Sequence, residues 1–358
     1  MKQVLFDYGF GEQQKVCAEA YPHLFPARVI TQHRQRYRLI GEQGELDSQV
    51  SGKFAYEAGE NAAFPAVGDW VMIDRIADDV GDAVIHAVLP RKSCFTRSAA
   101  GKSQQSQIIA ANIDYVFLCM SANEDFSLRR AERYLSAVWQ SGATPVVLLT
   151  KTDLCEDPES YLYRLYPVCG SAEVIALNDT QSEGLARLQQ LIQPGVTVAF
   201  TGSSGVGKST LINRLLGQSR QETKDIRADG KGRHTTTSRE MIHLPQGGVL
   251  IDTPGMREFQ LDAADLSQSF EDVEALISVC KFSDCTHTNE PGCAVRAAIE
   301  SGTLDKKRFE SYCKLQKETE YDGMGAKQRE YAKIEKMFGS KKEMKRLMNE
   351  AKNKNKSR

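Results

Sequence analysis

The chain has 358 residues, a net charge of −1 and 41% hydrophobic residues, which suits two or three soluble globular domains and argues against a global field built for a polyanion. No apolar run is long enough to span a bilayer, and the N-terminus lacks the apolar core of a secretory signal, so a cytoplasmic protein with no membrane partner is expected. Nine cysteines in that setting speak against a disulfide framework, and their clustering carries more information than their count.

In chain order, residues 1 to about 25 show little pattern beyond one short helix and look like an addition. Five short β-like runs follow, "ARVITQH", "RYRLIG", "SQVSGKF", "GDWVMIDRI" and "DAVIHAVL", punctuated by Gly, Asn and Asp. Five strands over that span suit a small barrel of the OB type, so residues 1–98 are expected to hold an extension plus an OB-fold. Arg34, Arg36 and Arg38 favour a nucleic-acid surface there; a purely structural barrel is the alternative. "RKSCFTRSAAGKSQQSQ" reads as a linker.

From there the period changes. "DYVFLCM", "PVVLLT", "EVIAL", "VTVAFTG" and "GVLIDTPG" are apolar strands that alternate with helical stretches such as "SLRRAERYLSAVWQSG" and "KSTLINRLLGQ". The alternation predicts βαβ units and a parallel sheet covered by helices over 99–265. Residues 266–358 carry a Cys/His cluster and a charged helical tail. The fold class is therefore multidomain: an N-terminal β-barrel, a central α/β domain, and a C-terminal metal-binding helical domain.

The strongest motif is Gly202-Ser203-Ser204-Gly205-Val206-Gly207-Lys208-Ser209, followed by Thr210 at the start of a helix and preceded by a strand. Its backbone N–H groups and the helix N-terminus would cradle phosphates, Lys208 would neutralise the β- and γ-phosphates, and Ser209 would ligate Mg²⁺. Asp252 ends an apolar strand, where it can hold the Mg²⁺ through a water, and the Gly255 N–H can reach a γ-phosphate. Between them lies "GKGRHTTTSRE"; Thr235, Thr236 and Thr237 are candidates to complete the Mg²⁺ shell and sense the γ-phosphate.

Upstream, "VVLLTKTDL" ends a buried strand on Thr150, Lys151, Thr152 and Asp153. Asp153 can accept from guanine N1–H and the exocyclic amine together, a donor pair adenine lacks. Lys151 would lie along the phosphate loop and base plane. Thr150 stands where Asn is more usual, which weakens one supporting hydrogen bond. The order of base reader, phosphate loop, threonine segment and Asp-x-x-Gly is a cyclic rotation of the usual GTPase order, and it leads the last switch directly into the cysteine cluster.

Cys280, Cys285, His287 and Cys293 form C-x4-C-x-H-x5-C, four soft ligands that suit one tetrahedral, structural Zn²⁺. Pro291 and Gly292 would help the turn, and the metal would supply much of this module's folding energy. Cys17, Cys94, Cys119, Cys155, Cys169 and Cys313 are read as packing residues. Met256 follows Asp-x-x-Gly where a water-positioning Gln is expected, so intrinsic turnover is expected to be slow. His234 is the local candidate to polarise the attacking water; shaping the switch or touching RNA is its alternative role. Residues 340 to 358 carry eight Lys/Arg and two Glu, either a solvated tail or a phosphate-contacting one.

The ordered set "GDWV", "TKTDL", "GSSGVGKST", "GRHTTT", "DTPGMREF" and "CKFSDCTHTNEPGC" resembles the circularly permuted GTPases of the ribosome small-subunit-dependent GTPase A family (RsgA/YjeQ), over nearly the whole chain. The resemblance implies GTP hydrolysis to GDP and phosphate, coupled to late maturation of the small ribosomal subunit. It also implies binding to 16S rRNA, turnover stimulated by the subunit, and a monomer in the cytoplasm. Where the family commonly has a Ser-Ala backing for the base, this chain has "VIALNDTQSEGL", in which Asn178 or its neighbours stand in. An RNA-binding module with a nucleotide-sensing site of negligible turnover, and a P-loop ATPase or small-molecule kinase, are the competing readings.

Overall fold

A computed structural model describes residues 3–33, 36–58, 64–77, 81–98, 106–178, 183–217, 240–252, 266–323 and 346. Two short helices, α1 (Gln3–Asp7) and α2 (Glu12–Ala18), precede strands β1 (Phe25–His33), β2 (Arg36–Gly41) and β3 (Gly44–Val50). Along β2, Tyr37 and Leu39 face the core while Arg36 and Arg38 face solvent, the period-two alternation of a half-buried strand. Helix α3 (Gly52–Ala58) follows, then β4 (Trp70–Ile73) and β5 (Ala83–Val88). The pairing order β1-β2-β3-β5-β4 closes when β4 pairs with β1, which makes a five-stranded barrel. Val29, Leu39, Leu46, Val71 and Ile85 fill it. One expected run is divided: "SQVSGKF" supplies the end of β3 and then turns into α3, where the Ser51 hydroxyl accepts from Phe54 N at 3.0 Å.

The expected linker also carries structure. β6 (Cys94–Ser98) and β7 (Ser106–Ala111) pair antiparallel, with Cys94 opposite Ala111. β7 ends in buried Ile109, Ala110 and Ala111, so apolar burial rather than polarity decides its fate.

The α/β layer contains β8 (Tyr115–Ser121), α4 (Leu128–Gln140), β9 (Thr144–Thr150), α5 (Pro158–Cys169), β10 (Glu173–Ala176), α6 (Glu183–Leu191), β11 (Thr197–Thr201), α7 (Lys208–Leu216), β12 (Glu240–His243) and β13 (Val249–Asp252). The strand order is β10-β9-β8-β11-β13-β12, with only the β12–β13 pair antiparallel within it. β8 and β9 are buried along almost their whole length because helices cover both faces, hence their unbroken apolar sequences. α4 is capped by Ser127, which accepts from Arg130 N, and buries Ala131, Leu135 and Val138 at i, i+4 and i+7 against the sheet.

Thr31 of β1 registers with Glu240 of β12, which joins barrel and layer into one eleven-stranded sheet. Arg28, 1% exposed, closes that seam. It donates to Gly68 O at 3.1 Å, Thr197 Oγ1 at 2.8 Å, Asn112 O at 3.0 Å and the Tyr8 carbonyl, and its guanidinium lies 5.3 Å from the Trp70 ring. Burial lowers its pKa to about 10. Gly68 has φ +95°, and a Cβ there would sit 2.0 Å from Ala111 O, so only glycine permits this approach. Residues of α1 and the turn after it are part of this seam: Leu5 and Phe10 pack with Trp70, Met72 and Leu89 on the outside of the barrel.

Three helices, α8 (Glu271–Ser278), α9 (Ala294–Glu300) and α10 (Lys306–Gly323), follow the sheet. Phe270, Val273, Val295, Leu304 and Tyr312 join the same apolar core as α4. Arg308 of α10 closes this second seam through both Asp272 oxygens at 2.6 and 2.7 Å, Glu132 Oε1 at 3.1 Å and Ser269 O at 3.0 Å.

Candidate nucleotide site and metal centre

The chain steps outward from β8 to β9 and β10 on one side, and from β11 to β13 on the other. The boundary between β8 and β11 is therefore a topological switch point, and ligands of open α/β sheets bind beyond the carboxyl ends of such strands. The sequence motifs converge there. β11 runs into the 202–207 loop and α7; β9 ends on Thr150; β13 ends on half-buried Asp252.

Gly202 has φ +137°, and a Cβ on it would lie 2.3 Å from Cys119 O, so the loop hugs β8 as it leaves the sheet. Gly205 and Gly207 also have positive φ, at +79° and +96°, with open space where a side chain would be. Lys208 curls over the loop and donates to Gly202 O at 2.7 Å and Ser203 O at 2.5 Å. Its ammonium is thereby held at the loop's centre. Leu211 N donates to Gly207 O at 3.0 Å, which starts α7 directly behind the loop. Ser209 is half-buried and Thr210 exposed.

Thr150 is 7% exposed, and its hydroxyl lies 2.7 Å from Val206 O and 3.2 Å from Met120 O. A hydroxyl has one proton, so the nearer Val206 carbonyl takes it. The expected weakening of a supporting hydrogen bond at this position is therefore not the whole account: threonine ties the segment that begins at Thr150 directly to the 202–207 loop. Lys151 adopts the left-handed region, φ +60°, and exposed Asp153 sits in the following 3-10 turn, Thr152–Leu154. Thr152 donates to Leu177 O at 2.9 Å, which links this segment to the loop beginning at half-buried Asn178. Three loops that begin at different strands are thus bonded to one another around a common crevice.

One contributor was not singled out from sequence. Asp125, in the β8–α4 loop, accepts from the Ser203 hydroxyl and from Arg130 Nη1 at 2.9 Å. Arg130 foremost, with Ser203, holds its carboxyl below the usual Asp value. "SANEDFS" is an ordinary polar loop in one dimension; the signal, a carboxylate shortly after an apolar strand, is too common to read. His234, Thr235, Thr236, Thr237, Gly255 and Met256 lie outside the described residues, as does the tail except residue 346.

Cys280, Cys285, His287 and Cys293 bring their ligand atoms within 4.8 Å of one another. The His287 Nδ1 lies 3.6 Å from Cys280 Sγ and 3.4 Å from Cys293 Sγ, and the two sulfurs are 4.0 Å apart. Tetrahedral zinc with bonds of about 2.0–2.3 Å needs ligand edges of roughly 3.6–3.8 Å, so the cluster fits that ion. Arg296 N, at the start of α9, donates to Cys293 Sγ at 3.4 Å. His287 has φ +59°, a conformation that costs a non-glycine residue on the order of 1–3 kcal/mol and persists only where its surroundings enforce it.

Known proteins resemble this chain over most of its length. The family model of the RsgA GTPase matches residues 88–262. An ABC transporter model matches residues 185–354, a span that shares the phosphate loop but leaves out Thr150–Asp153. The small ribosomal subunit biogenesis GTPase RsgA 2 of Lactiplantibacillus plantarum is 54% identical over 89% of this chain and 90% of its own. The crystal structure of YjeQ from Thermotoga maritima superposes with TM-score 0.62 at 25% identity, covering 84% of this chain and all of that one. That of YloQ, described as a circularly permuted GTPase, gives TM-score 0.59 at 24% identity over 85% of this chain and 97% of its own.

Proposed function

The chain belongs to the RsgA GTPase family, and on that premise we propose how its residues divide the work of GTP hydrolysis in small ribosomal subunit biogenesis. The observation that supports the site best is the Thr150–Val206 bond, because it makes base reader and phosphate loop one rigid unit at the switch point.

Asp153 accepts from guanine N1–H and the exocyclic amine, with Lys151 against the base plane and Thr152 anchoring the loop from behind. The N–H groups of residues 202–210 and the ammonium of Lys208 receive the phosphates, where they also stabilise charge developing on the transferred group. Ser209 and Thr236, with Asp252 through a water, would hold the Mg²⁺ that accompanies GTP, which would supply positive charge beside the phosphates. Gly255 reports the γ-phosphate to the segment that leads into the C-terminal module. His234 orients and polarises the attacking water, since Met256 offers it no hydrogen bond. Cys280, Cys285, His287 and Cys293 would hold one structural Zn²⁺, which would cross-link that module. The partners are the small subunit and its 16S rRNA, contacted by the barrel, the zinc module and the basic tail, and the protein acts late in maturation as a cytoplasmic monomer.

The deciding experiment is GTP hydrolysis by zinc-replete protein with and without purified small subunits, alongside competition by ATP. Strong stimulation by the small subunit and weak competition by ATP are expected. Equal competition by ATP would overturn the role of Asp153; tight GTP binding without stimulation would leave an RNA-binding module that senses nucleotide.

A further inference from the structure

We propose that Glu290 is a positioning residue of the metal centre: its carboxylate gathers the backbone N–H groups of the turn that presents His287, and so holds this ligand in place.

Thr286 N donates to Glu290 Oε1 at 2.9 Å, and Thr288 N and Asn289 N donate to Oε2 at 3.0 Å each. The Thr286 hydroxyl adds a fourth bond to Oε1. Three N–H groups converging from a turn with a left-handed residue make an anion-binding nest, which elsewhere takes a phosphate or a cluster. Here the chain supplies the anion itself, one residue beyond the turn. The residue enclosed by these bonds is His287, the one cluster ligand with positive φ. A left-handed histidine needs an enforcing partner, and the carboxylate supplies it by fixing the peptide units on either side. The Thr286 hydroxyl bond comes first among the causes that lower the Glu290 pKa to about 2, the direction expected of a carboxylate that accepts several donors. Cys280 and Cys293 are placed differently. Cys280 lies two residues past α8, its N–H bonded to Ile277 O at 3.2 Å, and Cys293 caps α9, so each is tied to a helix end. His287 lies in the irregular stretch between, and Glu290 takes the place of a helix there.

The inference rests on the cluster holding zinc, and the test separates the two. Full-length zinc-loaded protein, Glu290→Gln and Thr286→Val are challenged with a chelator, and zinc release is followed by a chromogenic dye. The side-chain amide introduced by Glu290→Gln keeps one acceptor oxygen but cannot also accept from Thr288 N and Asn289 N. Release from Glu290→Gln is expected to be about tenfold faster or more, in line with other outer-sphere partners of metal ligands. Thr286→Val, which loses the hydroxyl's bonds to Glu290 and to Thr288 Oγ1 but keeps all three N–H donors, is expected to fall in between. The cobalt-substituted Glu290→Gln protein is expected to keep the parent's absorption maximum, because three thiolates and one imidazole still ligate, whereas His287→Ala shifts it. A parent that holds zinc and a Glu290→Gln variant that releases it equally slowly would overturn the role of Glu290. A parent that takes up no zinc would overturn the metal reading and this inference together.

Discussion

Two buried arginines close the two seams of the molecule, and they do so with different partners. Arg28 at the barrel seam donates to three backbone carbonyls and one hydroxyl, with no carboxylate among the acceptors. Arg308 at the C-terminal seam donates to two carboxylates and one carbonyl, and Glu132, one of those carboxylates, is itself wholly buried. Burial accordingly lowers the pKa of Arg28, whereas bonds to Asp272 and Glu132 outweigh burial and raise that of Arg308. A seam built on ion pairs can be rewritten by changing both side chains. A seam built on carbonyls cannot, because its acceptors belong to the backbone.

The largest effect is expected at Arg308. Arg308→Ala leaves the Glu132 charge buried with only Arg129 beside it, and removing one partner of a buried pair costs about 3–5 kcal/mol. The combined change Glu132→Leu and Arg308→Met is expected to recover most of that loss in denaturant unfolding, since apolar replacement of a buried pair is often near neutral. If the double variant is as unstable as the single one, the cost lies in Asp272 and the Ser269 carbonyl instead.

Arg28→Ala is expected to cost somewhat less, about 3 kcal/mol, because hydrogen bonds to a charged donor contribute roughly 1.5–3 kcal/mol and the orphaned carbonyls can recruit water. Lysine should restore only part, having no planar fork to reach Gly68, Thr197 and Asn112 at once. Full rescue by Arg28→Lys would show that charge over Trp70, and not the fan of bonds, holds the seam.

The smallest effect provides an uncharged reference. Thr150→Val removes one neutral bond to Val206 O, worth about 0.5–1.5 kcal/mol, and should weaken GTP binding by up to roughly tenfold while Thr150→Ser stays near the parent. Equal affinities for all three in nucleotide titration would mean that the tie does not organise the site.

Much of this was legible in one dimension. The strands of the barrel, the alternating α/β pattern, the glycine-rich loop and the Cys/His cluster follow from local periodicity and spacing, because neighbours in sequence make those features. Helix α5 was harder. Asp157 caps it and Pro158 opens it, a readable start signal, but Pro167 inside and a run of tyrosines obscure its period. The β6–β7 pair was hidden by its polar, small-residue composition, though its last residues lie in the core.

What the amino-acid order determines by itself is which motifs are present and in what rotation: "TKTDL", then "GSSGVGKST", then "GRHTTT" and "DTPG", then a cysteine cluster. Only the tertiary structure decides how these meet. Thr150 reaches Val206 across 56 residues, Arg28 reaches Thr197 across 169, and Arg308 reaches Glu132 across 176. No local propensity encodes such pairs, because each partner's identity matters only once the sheet order and helix packing have brought it within bonding distance, and an arginine or threonine destined for a seam is indistinguishable in sequence from one on the surface.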